Sequence, residues 1–161
     1  MKIHVFCVGD TIDKIYFDAK SKYEIGAPAI AKILSQIAVN LDIEVTSLMT
    51  KDSLDMTDED RALIANAVEN CDASKIIITH GTDTMPETAR SLGSLSDKAV
   101  VLTGALAPAL FKDSDAMFNV GGALAAVQAL DSGVHIVMNG ELFDGMNVRK
   151  DVENNCFKRL T

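Results

Sequence analysis

The chain has 161 residues, 48 % hydrophobic and 24 % charged, enough for one domain with a buried core and too apolar for a disordered segment. Its formal net charge of -8 argues against a nucleic-acid or anionic-membrane partner, since both need a basic face. Cys7, Cys71 and Cys156 are widely spaced and form no CxxC pair. They read as reduced thiols, not as a disulfide frame or a zinc site. The N-terminal apolar run is too short for a secretory leader, and nothing later is long enough to span a bilayer, so a cytoplasmic soluble protein is expected.

The apolar run Ile3–Val8 predicts the first strand, and it ends in Gly9-Asp10-Thr11. Tyr16 and Tyr23, the two tyrosines, follow. By themselves they read as a strand or hairpin packing residue and a loop-surface residue. Helical periodicity over Pro28–Val39 precedes a second strand, Ile43–Leu48, which runs into Thr50-Lys51-Asp52-Ser53. The second helix, Asp58–Asn70, repeats Ala62, Ile64, Ala65 and Val68 at helical spacing behind a capping signal at Thr57–Asp60. A third strand, Lys75–Thr79, leads into His80-Gly81-Thr82-Asp83. The helix Met85–Leu92 follows, with Thr84 as its expected cap, Pro86 in its first turn and Glu87 three residues beyond Thr84. Ala99–Thr103 predicts the fourth strand and ends in Gly104-Ala105. The helix Met117–Leu130 contains Gly121-Gly122, a mark of close packing on a sheet. Val134–Met138 predicts the fifth strand, followed by Asn139-Gly140, then Asp144-Gly145 and Lys150. No element is assigned to the polar tail 141–161.

The strands are short, β-branched and nearly continuous in their apolar character, as for strands covered on both faces. Their alternation with helices predicts an α/β fold, a three-layer sandwich around a parallel sheet. Ligands of such sheets bind beyond the carboxyl ends of the strands. Those ends gather hydroxyls, carboxylates and glycines on one edge. Two readings stand for several of these residues. Capping accounts for Thr84 and Glu87, and turn formation for Gly81, Gly104 and Gly140. His80 fits a hydrogen-bonded structural histidine as well as a base. Thr82 and Asp83 are not needed for a cap. A hydroxyl nucleophile needs a group to take its proton and amides to hold an oxyanion. Thr82, Asp83 and Lys150 can form such a set if the tail folds back over the third strand, with Thr11 as a second hydroxyl. His4, His80 and His135 show no metal-ligand spacing, so neither a metal nor a cofactor is expected. There is no GxGxxG or Walker pattern for a nucleotide, and the acid pair and lysine spacing of a receiver domain are not met.

Five segments carry a family likeness. VGDTIDKIYFD resembles the opening TGGTI segment of bacterial-type L-asparaginases and glutaminases, KDSLDMT their substrate loop, and ITHGTDTMPETA their second signature. VVLTGALAP and VMNGELFDGMNVRK follow in the family's order. The resemblance spans nearly the whole chain. It implies a single domain, 1–161, like the family's flavodoxin-like N-terminal domain, with the second domain absent. It further implies hydrolysis of the side-chain amide of asparagine or a related small amide through a threonine acyl-enzyme, with release of ammonia.

Residue by residue, the resemblance implies Thr11 as nucleophile, Thr82, Asp83 and Lys150 as its partners, and Tyr23, with Tyr16 as the alternative, as the tyrosine of a loop over Thr11. Asp52, Ser53 and Ala105 are the expected substrate contacts. Asp10 stands where the family has glycine, and Leu54 where many members have glutamine. These departures keep a second reading open, a small-ligand binding or regulatory module that retains the pocket. A homo-oligomer, dimer or higher, is expected to close the site, with Glu153, Asn154 and Asn155 reaching a neighbour's cleft.

Overall fold

A computed structural model of the chain describes residues 1–160. In chain order the elements are β1 (Lys2–Cys7), a hairpin of β2 (Lys14–Phe17) and β3 (Lys22–Ile25), α1 (Ala29–Gln36), β4 (Asp42–Ser47) and α2 (Asp58–Glu69). Then come β5 (Lys75–Thr79), α3 (Met85–Ser91), β6 (Ala99–Thr103), α4 (Ala116–Ala129) and β7 (Gly133–Met138). The chain closes with β8 (Glu141–Asp144), β9 (Val148–Asp151) and β10 (Cys156–Arg159). Every strand and helix expected from the sequence is present. The tail, left unassigned above, folds into β8, antiparallel to β7 at the sheet edge, and a β9–β10 hairpin.

The central sheet runs β4-β1-β5-β6-β7-β8, parallel except for β8. Each parallel strand is apolar because helices cover both faces. Ile76 and Ile78 of β5 point to the face covered by α2 and α3, where they pack with Ile64, Val68 and Met85. Ile77 points the other way and packs with Ile30, Ile33 and Val120 from α1 and α4. This is the alternation a strand backbone imposes. Fully burying one such isoleucine is worth roughly 1.5–3 kcal/mol. α4 lies close on the sheet because Gly122 has no side chain: a methyl there would sit 3.1 Å from Val137 Cγ1.

Helix starts are set by two different means. Thr57 and Asp60 form a reciprocal capping box at the start of α2, as the sequence signal predicts. Thr84 does not cap α3 with its side chain. Its hydroxyl donates instead to the Ser53 carbonyl at 2.8 Å, a partner 31 residues away that local reading cannot supply. Among the described residues no helix is long and apolar enough to cross a membrane.

The order matters for the site. β1 is flanked by β4 and β5, with Cys7 paired to Ser47 on one side and to Thr79 on the other. Three strands therefore end level, and the chain leaves β1 and β5 at the point where the strand order reverses. Such a switch point opens a crevice at the carboxyl edge.

Candidate active site

The loop after β1 is held against the loop after β4. Gly9, at φ +98°, allows this approach: a Cβ there would lie 2.7 Å from the Lys51 amide nitrogen. Asp10 follows at φ +86° and ψ -157°, a region that costs a side-chain-bearing residue about 1–3 kcal/mol. Asp10 is nevertheless buried, at 4 % exposure. Its Oδ2 accepts the Ser53 backbone N–H at 2.6 Å, and its Oδ1 accepts the Thr11 hydroxyl at 3.0 Å. The Lys14 ammonium stands 3.8 Å from Oδ1 and 3.5 Å from the Asp52 carboxylate. Asp52 also accepts the Leu54 N–H at 3.1 Å and so caps the turn that carries Ser53. Leu54 itself projects into solvent.

Asp13 anchors the β2–β3 excursion. Its carboxylate accepts the Ala29 N–H at the start of α1 at 2.7 Å, and its carbonyl accepts the Gly26 N–H at 2.7 Å. Burial pushes the Asp13 pKa up to about 6, against the lowering effect of the Ala29 hydrogen bond. Tyr16 and Tyr23 face each other across this hairpin, with ring centroids 5.5 Å apart. Tyr23 also meets Phe111 edge-on at 5.9 Å. Both tyrosines are about half exposed, and the Tyr23 hydroxyl enters no hydrogen bond among the described residues.

On the third loop, His80 is a structural histidine. Its Nδ1 faces the Gly81 carbonyl at 2.7 Å, which can only accept, so Nδ1 carries the proton. Nε2 then accepts the Thr88 hydroxyl at 2.8 Å. Burial lowers its pKa to about 4, so it is neutral and satisfied. Thr82 and Asp83 follow at the head of α3, Thr82 almost fully buried.

Lys150 reaches this loop from β9. Val148 and Phe157 seat the β9–β10 hairpin in the core, and Arg90 of α3 donates to the Val148 carbonyl at 3.0 Å. Lys150 Nζ then donates to Thr82 Oγ1 at 3.2 Å and to Asn155 Oδ1 at 2.9 Å, and lies 5.1 Å from the Phe157 ring centroid. Partial burial lowers the Lys150 pKa below its ordinary value, while the nearby Asp83 carboxylate acts in the opposite sense.

The composition of this edge agrees with what is found by comparison. Residues 2–158 match the family description "Asparaginase, N-terminal". The chain belongs to the asparaginase family. It is 32 % identical over 141 residues to L-asparaginase 2 of Escherichia coli, a match covering 81 % of this chain and 40 % of that protein. It is 33 % identical over 102 residues to the glutaminase-asparaginase of Pseudomonas fluorescens, covering 59 % of this chain and 28 % of that one. The thermostable L-asparaginase from Thermococcus kodakarensis superimposes with a TM-score of 0.87 at 27 % identity, over 99 % of this chain and 51 % of that one. The chain thus spans about half the length, or less, of these relatives. The parallel-sheet α/β architecture is that of the family's N-terminal domain.

Within this asparaginase frame the expected residues separate into two groups. Thr11, Asp52 and Ser53 are tied together through Asp10 and Lys14, and Thr82, Asp83 and Lys150 form a second cluster at the head of α3. Thr84 links the second loop to the third. Tyr23 stays on the hairpin against aromatic neighbours, and Ala105 packs its methyl into the core with Ile12, leaving its backbone as the part able to meet a ligand. A cavity of about 440 Å³ lies on the hairpin side, lined by Ile12, Lys14, Pro28, Ile33 and Phe111, and not by the two threonines. Asn155, expected as part of the tail and not as a partner of Lys150, accepts from Lys150 Nζ at 2.9 Å. Its left-handed turn, φ +48°, is a signal asparagine often carries, but its meeting with Lys150 is not local. Within the single chain, Asn154 Nδ2 donates to Asp151 and Asn155 Oδ1 accepts from Lys150.

Proposed function

We propose that the chain is an asparaginase-type amidohydrolase that hydrolyses the side-chain amide of asparagine or a related small amide. The observation that carries this reading is the approach of Lys150 Nζ to Thr82 Oγ1 at 3.2 Å. It joins a partly desolvated lysine to a buried threonine beside a carboxylate, the set a hydroxyl nucleophile needs for proton traffic. In this reading the Thr11 oxygen attacks the amide carbon while its proton passes to an acceptor in the cleft. The C–N bond breaks, the nitrogen leaves as ammonia after taking up a proton, and a Thr11 ester remains. Water, activated through the Thr82–Lys150–Asp83 set, cleaves the ester to the free acid and restores the hydroxyl. Backbone amides of the loops after β1 and β5 hold the oxyanion. Tyr23 closes over Thr11 by movement of its hairpin, and Asp52, Ser53 and the Ala105 backbone contact the substrate. A second copy of the chain closes the open side of the site, which sedimentation tests directly.

Ammonia release from a panel of amides, with the acid product identified, tests the reading. Turnover that disappears in Thr11→Ala supports it; release unaffected by that change sinks it. One observation favours the second reading, a ligand-binding module: the Thr11 hydroxyl is committed to Asp10. Saturable binding of an amide with no ammonia release would identify that module.

A further inference from the structure

Two buried polar groups meet over Gly81. A methyl on Gly81 would collide with both Asp10 Oδ2 and Ser53 Oγ. Both side chains therefore lie directly on the Gly81 backbone, in space that exists because residue 81 is glycine. Ser53 is 1 % exposed, and its Oγ has no hydrogen-bond partner among the described residues. An orphaned buried hydroxyl is uncommon and calls for an explanation. Here it lies beside a carboxylate that has come from the neighbouring loop and taken other donors: the Ser53 N–H at 2.6 Å and the Thr11 hydroxyl at 3.0 Å.

A ligand carboxylate seated between Thr11 and Ser53 would use these same donors. In this chain they are already occupied by an internal carboxylate. Asp10 holds that place despite a backbone conformation, φ +86° and ψ -157°, that glycine adopts without strain. A second carboxylate would lie against the first, and two such groups in one site do not both ionise readily. Lys14 stands near, 3.8 Å from Asp10, and it is shared with Asp52. A ligand ammonium, in contrast, would find the Asp10 carboxylate directly beside the Thr11 hydroxyl.

We propose that Asp10 is a specificity-determining residue that fills the carboxylate seat, so that the site takes small ammonium-bearing amides with no carboxylate next to the ammonium, and excludes free asparagine and glutamine. This rests on the amidohydrolase reading of the same site and narrows its substrate class. It explains the orphaned Ser53 hydroxyl, the strained backbone at Asp10 and the requirement for glycine at position 81 together.

The test compares L-asparagine with β-alaninamide, which is asparagine with its α-carboxylate replaced by hydrogen. Binding to the full chain is measured by calorimetry, and ammonia release in parallel, for wild type, Asp10→Asn and Asp10→Gly. The wild type is expected to bind β-alaninamide more tightly than L-asparagine by about 10-fold or more, the scale of one like-charge contact. Asp10→Gly inverts the order, and Asp10→Asn, which keeps the shape without the charge, falls between. Wild type preferring L-asparagine, or a folded Asp10→Gly retaining the wild-type order, overturns the proposal, as does failure of both ligands to bind any of the three proteins. Failure of the hydrolase reading shows separately, as no ammonia from either amide while the binding order still decides the role of Asp10.

Discussion

Lys150 on β9 donates a hydrogen bond to Thr82 at the head of α3, across 68 positions of sequence. The contact exists because the tail turns through β8 and returns beside α3, where Arg90 holds the Val148 carbonyl. Lys150→Met keeps the length and apolar stem but removes the charge and donors. The expected result is a fall in kcat of roughly 10²–10⁴-fold, the usual range for a lost proton-transfer group, with KM changed only a few-fold. A rise in KM with kcat preserved would place Lys150 in ground-state binding instead. Asn155→Ala, which removes only the companion acceptor, is expected to cost far less.

Thr11→Ala and Thr82→Ala should each remove most amide hydrolysis, on the order of 10³-fold or more, while leaving ligand binding measurable. Thr11 starts the turn after Asp10, whereas Thr82 is held by Lys150. Because the proposed reaction uses both on one acyl-enzyme, their combined loss should be much less than the product of the single losses, as for residues acting as a unit. Near-normal turnover in both single variants would show that this chemistry does not operate here.

Stability against pH should reveal two buried groups with opposite signs. His80 has its folded pKa lowered to about 4 from 6.5, so the unfolded chain binds the proton first. Its contribution is complete above pH 6.5 and is lost as pH falls towards 4. Asp13 has its folded pKa raised to about 6 from 3.8, so its contribution is complete below pH 3.8 and is lost as pH rises through 6. Between about pH 4 and 6 the two slopes oppose each other, each of roughly 1.4 kcal/mol per pH unit at most. Asp13→Asn should make stability rise more steeply with pH across this window, and His80→Gln should make it rise less steeply or fall. Urea midpoints measured at half-unit steps check both; parallel curves for the two variants would refute the assignment.

Gly81→Ala should destabilise the fold by about 1–3 kcal/mol, as overpacking does in a rigid site. The added methyl collides with Asp10 Oδ2 and Ser53 Oγ, and both loops are fixed by hydrogen bonds. Gly121→Ala is the control, because no atom of the described residues outside its own helix lies within 4 Å of the position a Cβ would take there. It should be neutral or slightly stabilising, since alanine favours a helix by up to about 1 kcal/mol over glycine. Equal effects of the two changes in thermal denaturation would contradict the packing described at Gly81.

The strands and helices were legible because their signals are local. Lys75–Thr79 is a continuous β-branched run, and a run of that kind is stable only where both faces are covered. Thr57 and Asp60 sit three residues apart, which is all a capping box requires. The β2–β3 hairpin and the tail strands carry weaker patterns. Arg149-Lys150-Asp151 and Lys158-Arg159 belong to a polar tail to which the sequence pattern assigns no element. Only the pairing of Phe157 with Lys150, and the burial of Phe157 and Val148, make strands of them.

By itself the sequence determined an α/β sandwich with its polar residues on one edge, because strand periodicity and glycine-rich turns are properties of neighbouring residues. It also carried the signatures that place the chain in the asparaginase family. Partner choice across loops was decided only by the tertiary structure. Thr84 reads as a helix cap, yet β4 ending level with β1 and β5 brings the Ser53 carbonyl within 2.8 Å, and the hydroxyl goes there. Asp10 reads as a departure in a turn. In the fold it is a buried carboxylate holding Ser53 and Thr11, because strand register places Ser53 over Gly81, and only a glycine there leaves room for both.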